Sequence, residues 1–399
     1  MGSMTGRSAR CTCRAFGKRL RKRRVSVKGK SLNQIKNINY GGKIMRKAIS
    51  ILSALAMVAT LAACGGNSAP SSSAPAPSAA PAASSEPAAS EAAPAEAITL
   101  KFVEQMPEGH IMTDTLFHFA DKVEELSNGS IKVERYAGGQ LGDDTAMQEG
   151  VQMGTIDVIR AEFTTLVNFG AKKAAVTTLP YVIRDRDHFW KMVNSDVGEE
   201  LLASIQEDGT QMVALCMIEE GSRHFFTKDP VNSLADLKGM KLRVQNTEMW
   251  LEIVKALGAS PTPMSFSELY TALQSGVVDG AEQPLSGFVS QKFYEVCPNM
   301  ILDGHVYPVQ AYVISELTWN KLTDEQKEII QQAAKETQAY NRETIQAAED
   351  EIMKNFADLG VTVVDVPDKT EWINAVQPVY EKFGTPEVLE LLKRIQDIK

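Results

Sequence analysis

From Ile98 onward the sequence repeats a unit of strand, helix and strand, and no other feature restricts the possible folds as much. Ile98-Thr99-Leu100-Lys101-Phe102-Val103 alternates side chains as a first strand does. A helix is expected from about Thr113 to Ser127, stopped by Asn128-Gly129, and a second strand from Ile131 to Tyr136. Strands joined through a helix pair in parallel, so the expected class is α/β. Ligands of such sheets sit beyond the carboxyl ends of strands, which makes Gln105 to His110 a candidate pocket wall. Further on, Asp187 to Gln206 reads as helices, Gln211 to Cys216 as a strand, and Tyr312 to Ser315 as a strand returning to the first domain.

Nothing before Ile98 reads as a fold. Residues 65–97 are Ala/Pro/Ser text with almost no large apolar side chain, so they cannot form a core and are expected to act as an extended tether. Ahead of them, Met45 opens a short basic stretch (Arg46, Lys47) and an apolar run of signal-peptide length that ends at Leu61-Ala62-Ala63-Cys64. The run is too short to span a bilayer as a helix and no stop-transfer cluster follows it. It resembles a bacterial lipobox, which makes Cys64 the expected lipidation site and first mature residue. Residues 1–44 carry 13 Lys/Arg and no acid. A signal peptide works from its own beginning, so Met45 is the expected start and residues 1–44 are read as upstream sequence.

Without residues 1–63, which hold 15 basic residues and no acidic ones, 27 Lys/Arg stand against 50 Asp/Glu, a net charge of −23. A chain this acidic is excluded as a general nucleic-acid binder. An anionic ligand would need locally placed cations. Cys216 and Cys297, the cysteines beyond Cys64, show no CxxC or metal-ligand spacing. Two buried thiols are expected, with a disulfide between them left open.

One such cation stands in Lys241-Leu242-Arg243-Val244, a short strand whose alternation sends Arg243 to the face opposite Leu242 and Val244. A desolvated guanidinium needs a partner, and its planar fork matches a carboxylate, internal or from a ligand. A helix-like segment from Glu248 to Leu257 follows, then the turn Pro261-Thr262-Pro263. A capping box at Ser265 and Glu268 is expected to open a second helix that ends at Gly276. The run DLKGMKLRV from Asp236, LGASPTPM from Leu257 and ELYTALQSGVVDGAEQP from Glu268 closely resembles the solute-binding proteins of TRAP (tripartite ATP-independent periplasmic) transporters. GGQLGDD from Gly138, Leu179-Pro180-Tyr181-Val182 and Gln291 to Val296 extend the resemblance over almost the whole chain beyond residue 98.

The resemblance implies a two-lobed α/β fold of the periplasmic-binding-protein type, closing on a small organic acid without turnover. Lobe I is expected at 98–220 plus 310–348 and lobe II at 221–309 plus 349–399. A helix from Thr323 to about Leu359, roughly 54 Å at ~1.5 Å per residue, would brace both. The C-terminal helices are expected to dock on the second lobe. Arg243 would hold the ligand carboxylate and Arg223 give a second contact, although a salt bridge from Arg223 to Glu219 or Glu220 is an equal reading of the residues alone. Gln283 stands where the family has asparagine, after Glu282. Phe266 would pack on the ligand's carbon skeleton, while Glu162, Gln105 and His110 would face its other end. His305 also falls within the resemblance. Glu162 would repel a second carboxylate, which favours a hydroxylated monocarboxylate such as a sugar acid. The implied partners are that acid, a TRAP-type permease pair, and the membrane through the lipid on Cys64, with the protein monomeric on the outer face of the cytoplasmic membrane.

No GxSxG, HExxH, P-loop or GxGxxG motif is present, and His110, His118, His188, His224 and His305 are scattered. Neither enzyme activity, metal nor cofactor is expected. Three other readings stay open at this point: an ABC-type binding lipoprotein, a surface hydrolase using Glu162 and Glu282 as paired carboxylates, and an adhesive lipoprotein.

Overall fold

The computed structural model describes residues 97–399. The basic leader, the signal-peptide segment, Cys64 and nearly all of the tether therefore lie outside the described residues. Strands β1 (Ile98–Val103), β2 (Ile131–Tyr136), β3 (Val158–Glu162) and β4 (Met212–Ile218) come first. They are followed by β5 (Arg223–Thr227), β6 (Lys241–Val244), β7 (Ser260–Pro263), β8 (Gly280–Pro284), β9 (Asn299–Val306), β10 (Gln310–Ser315) and β11 (Thr362–Asp365). The helices begin with α1 (Ile111–Leu126), α2 (Asp144–Gln152), α3 (Phe163–Leu166), α4 (Ala175–Thr178), α5 (Arg186–Val193), α6 (Asp196–Glu207) and α7 (Glu248–Ala256). The remainder are α8 (Leu269–Ser275), α9 (Leu285–Ser290), α10 (Glu316–Trp319), α11 (Asp324–Asn355), α12 (Thr370–Ala375), α13 (Gln377–Phe383) and α14 (Pro386–Asp397). None of these helices is long and apolar enough to cross a membrane.

Two sheets form, in the orders β2-β1-β3-β10-β4 and β11-β9-β5-β8-β6-β7. In the first, β1 runs parallel to β2 and β3, and β10 inserts antiparallel between β3 and β4. Helix α1 covers this sheet because Met112, Leu116, Phe119, Ala120 and Val123 recur on one face. That stripe meets Leu100 and Phe102 from β1 and Ile330, Ala333 and Ala334 from α11. Each large apolar side chain so buried contributes about 1.5–3 kcal/mol. Within the described residues the chain crosses between the sheets three times, through Glu219–Ser222 after β4, through Tyr307–Val309 before β10, and along α11 on the way from β10 to β11.

Helix α11 opens with a reciprocal capping box between Thr323 and Gln326, which satisfies two otherwise orphan amides. Its 32 residues span roughly 48 Å at ~1.5 Å each. It packs on α1 and β4 of the first lobe and on α9 of the second. It is pinned beside a crossover, where Asn341 accepts from the Glu219 amide at 2.9 Å and donates to the Glu219 carbonyl at 3.0 Å.

Several local expectations are corrected. The proline turn at 261–263 is the edge strand β7, parallel to β6, where residues lacking an N–H are tolerated. The capping box at Ser265 and Glu268 does not form; the Ser265 hydroxyl donates to Asp143 Oδ2 at 3.3 Å instead. Helix α8 does end at Gly276, in the left-handed region at φ +73°. The C-terminal segment does not dock on the second lobe alone. Helix α13 packs on α7, but α14 packs on α4 and α6, and α6 lies on β4 of the first sheet. Arg394 fixes α14 there through Asp196 at 2.9 Å and Glu200 at 2.6 Å. Cys216 and Cys297 are both buried free thiols, each pushed up to about 12 by burial.

Candidate functional site

A cavity between the two sheets is lined by residues of their strands and of the loops and helix starts beside them. From the first lobe come Gln105 and Met106 after β1, Asp144 at the start of α2, Arg160 and Glu162 on β3, and Glu220 after β4. The second lobe supplies Arg223 from β5, Arg243 from β6, Gln245 just after it, Phe266, and Gln283 from β8. The register explains the grouping. Arg243 lies beside Ala281 of β8, and β8 carries Gln283 opposite His224, next to Arg223 on β5.

Arg243 is 2% exposed. Its Nε and Nη2 donate to the Met264 carbonyl at 3.1 and 2.8 Å, while Nη1 is buried with no partner. No carboxylate of the described residues pairs with it, so the internal ion pair open from sequence does not form. Burial, with Arg223 nearby, lowers its pKa to about 10. Phe266 lies 5.7 Å from the guanidinium, close enough for a cation–π contact.

Arg223 is arranged differently. It pairs with Glu282, donating from Nη2 to Oε1 at 3.0 Å and from Nε to Oε2, and with Glu162 Oε2 at 3.2 Å. Trp250 covers its other face at 5.2 Å. The salt bridge to Glu219 or Glu220 is therefore replaced by these two partners. Burial opposes ionisation of Glu282, but Arg223 and His305 outweigh it and hold the carboxyl below the ordinary range.

Arg160, which the sequence reading did not single out, also lines the cavity. Its Nε donates to Glu104 Oε2 at 2.8 Å, its Nη2 to the other Glu104 oxygen and its Nη1 to Gln310. Glu220 Oε2 lies 3.7 Å from it. Period-two alternation places residue 160 on the same strand face as Glu162, a signal that was available in the sequence. Asp144, Glu220 and Gln245 were also missed, whereas Met106 lies in the Gln105 to His110 segment expected as pocket wall. Asp144 is the second of two adjacent aspartates, of which Asp143 caps α2, and the pattern does not distinguish their roles.

Six of the expected ligand residues line the cavity: Arg243, Arg223, Gln283, Glu162, Phe266 and Gln105. His110, Glu282 and His305 do not; they stand one layer behind. His110 caps α1, its Nδ1 accepting from the Met112 amide at 3.1 Å while Nε2 faces Glu220 at 3.4 Å. Burial lowers its pKa, only partly offset by Glu220. His305 is held by Asp303 at 2.7 Å and stacks on Phe225 at 4.3 Å. Burial disfavours its charge, but Asp303 and Glu282 more than compensate and raise its pKa. Gln283 accommodates its extra methylene by folding over Gly287, where a Cβ would meet Oε1 at 2.8 Å.

The two walls touch each other. Glu162 of β3 accepts from Arg223 at 3.2 Å and from Gln245 at 3.1 Å, and Asn168 donates to the Asn246 carbonyl at 3.2 Å. A wider groove lined by Pro107, Gly142, Tyr270 and Phe293 adjoins the cavity at Gln105 and Phe266.

Comparison with known proteins identifies the family and the fold. The family described as bacterial extracellular solute-binding protein, family 7, matches residues 102–386. The sialic acid-binding periplasmic protein SiaP of Vibrio cholerae is 38% identical over 302 residues, which cover 74% of this chain and 92% of that protein. The 2,3-diketo-L-gulonate-binding periplasmic protein YiaO of Escherichia coli is 30% identical, over 70% of this chain and 86% of its own length. A crystal structure of a TRAP periplasmic solute binding protein from Pseudomonas putida F1, with bound D-glucuronate, superposes with a TM-score of 0.73. It is 32% identical and covers 76% of this chain and 98% of that one.

Proposed function

The chain belongs to the family 7 bacterial extracellular solute-binding proteins, the solute-capturing members of TRAP transporters, and from that premise we propose that it captures a hydroxylated monocarboxylate of the sugar-acid class through Arg243. Members of the family are extracytoplasmic binding proteins rather than enzymes. The observation that carries the reading is the Arg243 guanidinium, buried in the cavity wall with Nη1 unpartnered. A buried cation left this way is complemented by an incoming carboxylate, which supplies the bidentate partner that the protein withholds. Binding of acids by relatives supports the same class, since the names above specify sialic acid, diketogulonate and D-glucuronate.

Arg223, neutralised by Glu282 and Glu162, then acts as a hydrogen-bond donor and Gln283 as an adaptable amide. Glu162 and Asp144 accept from the hydroxyls at the opposite wall. Because the ligand touches both lobes, it stabilises the closed arrangement, limited by its difference in affinity for open and closed forms. The loaded protein passes its solute to a membrane permease pair, while a lipid on Cys64 keeps the monomeric protein at the outer face of the cytoplasmic membrane.

A paired-carboxylate hydrolase is disfavoured by the same site. Arg223 stands between Glu162 and Glu282, and Glu282 is fully buried with its pKa lowered. A general acid needs a raised one. A thermal-shift screen against sugar acids, C4 dicarboxylates, keto acids, aromatic acids and amino acids tests the proposal. Saturating ligand stabilises by RT ln(1 + [L]/Kd), about 2.7 kcal/mol at a hundredfold excess over Kd. A sugar-acid hit supports the reading, and no hit among the acids overturns it.

A further inference from the structure

The charges around the cavity do not balance. Three arginines, Arg160, Arg223 and Arg243, stand among five carboxylates, Glu104, Asp144, Glu162, Glu220 and Glu282. Two of the arginines serve all four glutamates: Arg160 holds Glu104 and approaches Glu220, and Arg223 holds Glu282 and Glu162. That leaves one cation and one anion without ionic partners. The cation is Arg243, nine-tenths buried and more, with Nη1 free. The anion is Asp144 across the cavity, whose carboxylate accepts only from the Gln105 amide, at 2.9 and 3.0 Å. No lysine, arginine or histidine of the described residues forms an ion pair with Asp144.

A ligand carrying only a carboxylate satisfies Arg243 and takes the surroundings from a net of about −2 to about −3, because like charges in a poorly solvated site raise one another's cost. A ligand that also carries an ammonium group at its far end leaves the net unchanged and gives Asp144 its missing partner. We propose that the preferred solute is zwitterionic, an amino-substituted sugar acid whose carboxylate meets Arg243 and whose protonated amine meets Asp144. This rests on the sugar-acid reading above and narrows it. Asp144 is then the specificity-determining residue of the first lobe.

The environment of Asp144 is consistent with this role. Burial raises its pKa to about 6, with Glu162 and Glu104 adding and Arg160 and Arg243 opposing. Glu104 follows β1, Arg160 and Glu162 lie on β3 and Arg243 on β6, and Asp143 precedes Asp144 on its own loop. An arriving ammonium would hold Asp144 ionised, so affinity for the amine falls as the pH drops below about 6, while affinity for a plain acid does not fall with it.

The experiment compares D-glucuronate with 2-amino-2-deoxy-D-glucuronate by titration calorimetry at pH 7.5 and pH 5. Their carboxylates are identical, and the amine lies across the ring. The expected result is at least tenfold tighter binding of the amino compound at pH 7.5, shrinking at pH 5. In Asp144→Asn the preference for the amino compound over glucuronate falls to within about twofold. Equal or weaker binding of the amino compound at pH 7.5 overturns the zwitterion assignment and leaves the carboxylate reading standing. A preference that survives unchanged both at pH 5 and in Asp144→Asn overturns the role of Asp144. Failure of both acids to bind overturns the sugar-acid reading itself, and this inference with it.

Discussion

Replacing Arg243 with alanine separates a binding residue from a structural one. In the unliganded fold, two guanidinium nitrogens bond the Met264 carbonyl at 3.1 and 2.8 Å, and losing them costs about 1–3 kcal/mol. Against that stands the cost of keeping the charge buried. Its pKa falls from 12.5 to about 10, chiefly through burial and secondarily through Arg223. The folded-state value lies below the unfolded one, so folding disfavours the charged form at every pH below about 10, by about 3 kcal/mol. The two effects nearly cancel, and Arg243→Ala is expected to change unfolding free energy by no more than about 1–2 kcal/mol. Binding is different, because loss of one member of a desolvated charge pair costs about 2–5 kcal/mol, or roughly 30-fold to several-thousand-fold in Kd. Titration calorimetry with D-glucuronate and urea unfolding of the free protein measure the two quantities. Affinity within threefold of wild type refutes the clamp. A collapse of stability by many kcal/mol refutes the claim that the guanidinium is kept for a ligand.

Three further outcomes follow from the same geometry. Asn341→Ala leaves both the amide and the carbonyl of Glu219 unpaired inside the fold, so urea unfolding is expected to show a loss of about 2–4 kcal/mol. A loss under about 0.5 kcal/mol contradicts the pinning of the crossover by α11. Asp144→Asn is expected to stabilise the unliganded protein by up to about 3 kcal/mol above pH 6, because a carboxyl raised to about 6 from 3.8 is disfavoured by folding once ionised. That gain fades as the pH falls through the window from 6 to 4, and unfolding curves at pH 7.5 and 4 show its presence or absence. Gly287→Ala brings a Cβ to 2.8 Å from Gln283 Oε1 and pushes that amide toward the cavity. Its affinity for a sugar acid is expected to change several-fold with little effect on melting, and a large melting loss with unaltered affinity contradicts the placement of Gln283.

The first sheet was more legible in the sequence than the second. Strands β1 and β2 and helix α1 announce themselves by alternation and by a 3.6-residue apolar stripe, and their parallel pairing follows. Strands β5, β8, β9 and β11 were not read as strands, because they are short or buried on both faces and show no alternation. Arg243 was identifiable from its place between Leu242 and Val244, since a cation there needs an explanation. That its partner is withheld was not, because the answer depends on where Met264 and Phe266 fall in space. The same limit applies to Arg223, whose carboxylates are 59 and 61 residues away rather than in the adjacent Glu219-Glu220. His110 and His305 were placed at the ligand by position along the chain, whereas capping of α1 and pairing with Asp303 hold them one layer back.

The central claim is that this cavity recognises a carboxylate through Arg243. Its most direct test is calorimetric titration of the wild-type protein with D-glucuronate and, in parallel, with D-glucose, which keeps the ring and hydroxyls and replaces the carboxylate with a neutral hydroxymethyl group. The account predicts measurable binding of the acid and a loss of at least a hundredfold for the neutral sugar, about 2.7 kcal/mol. Equal affinity for the two sugars contradicts it.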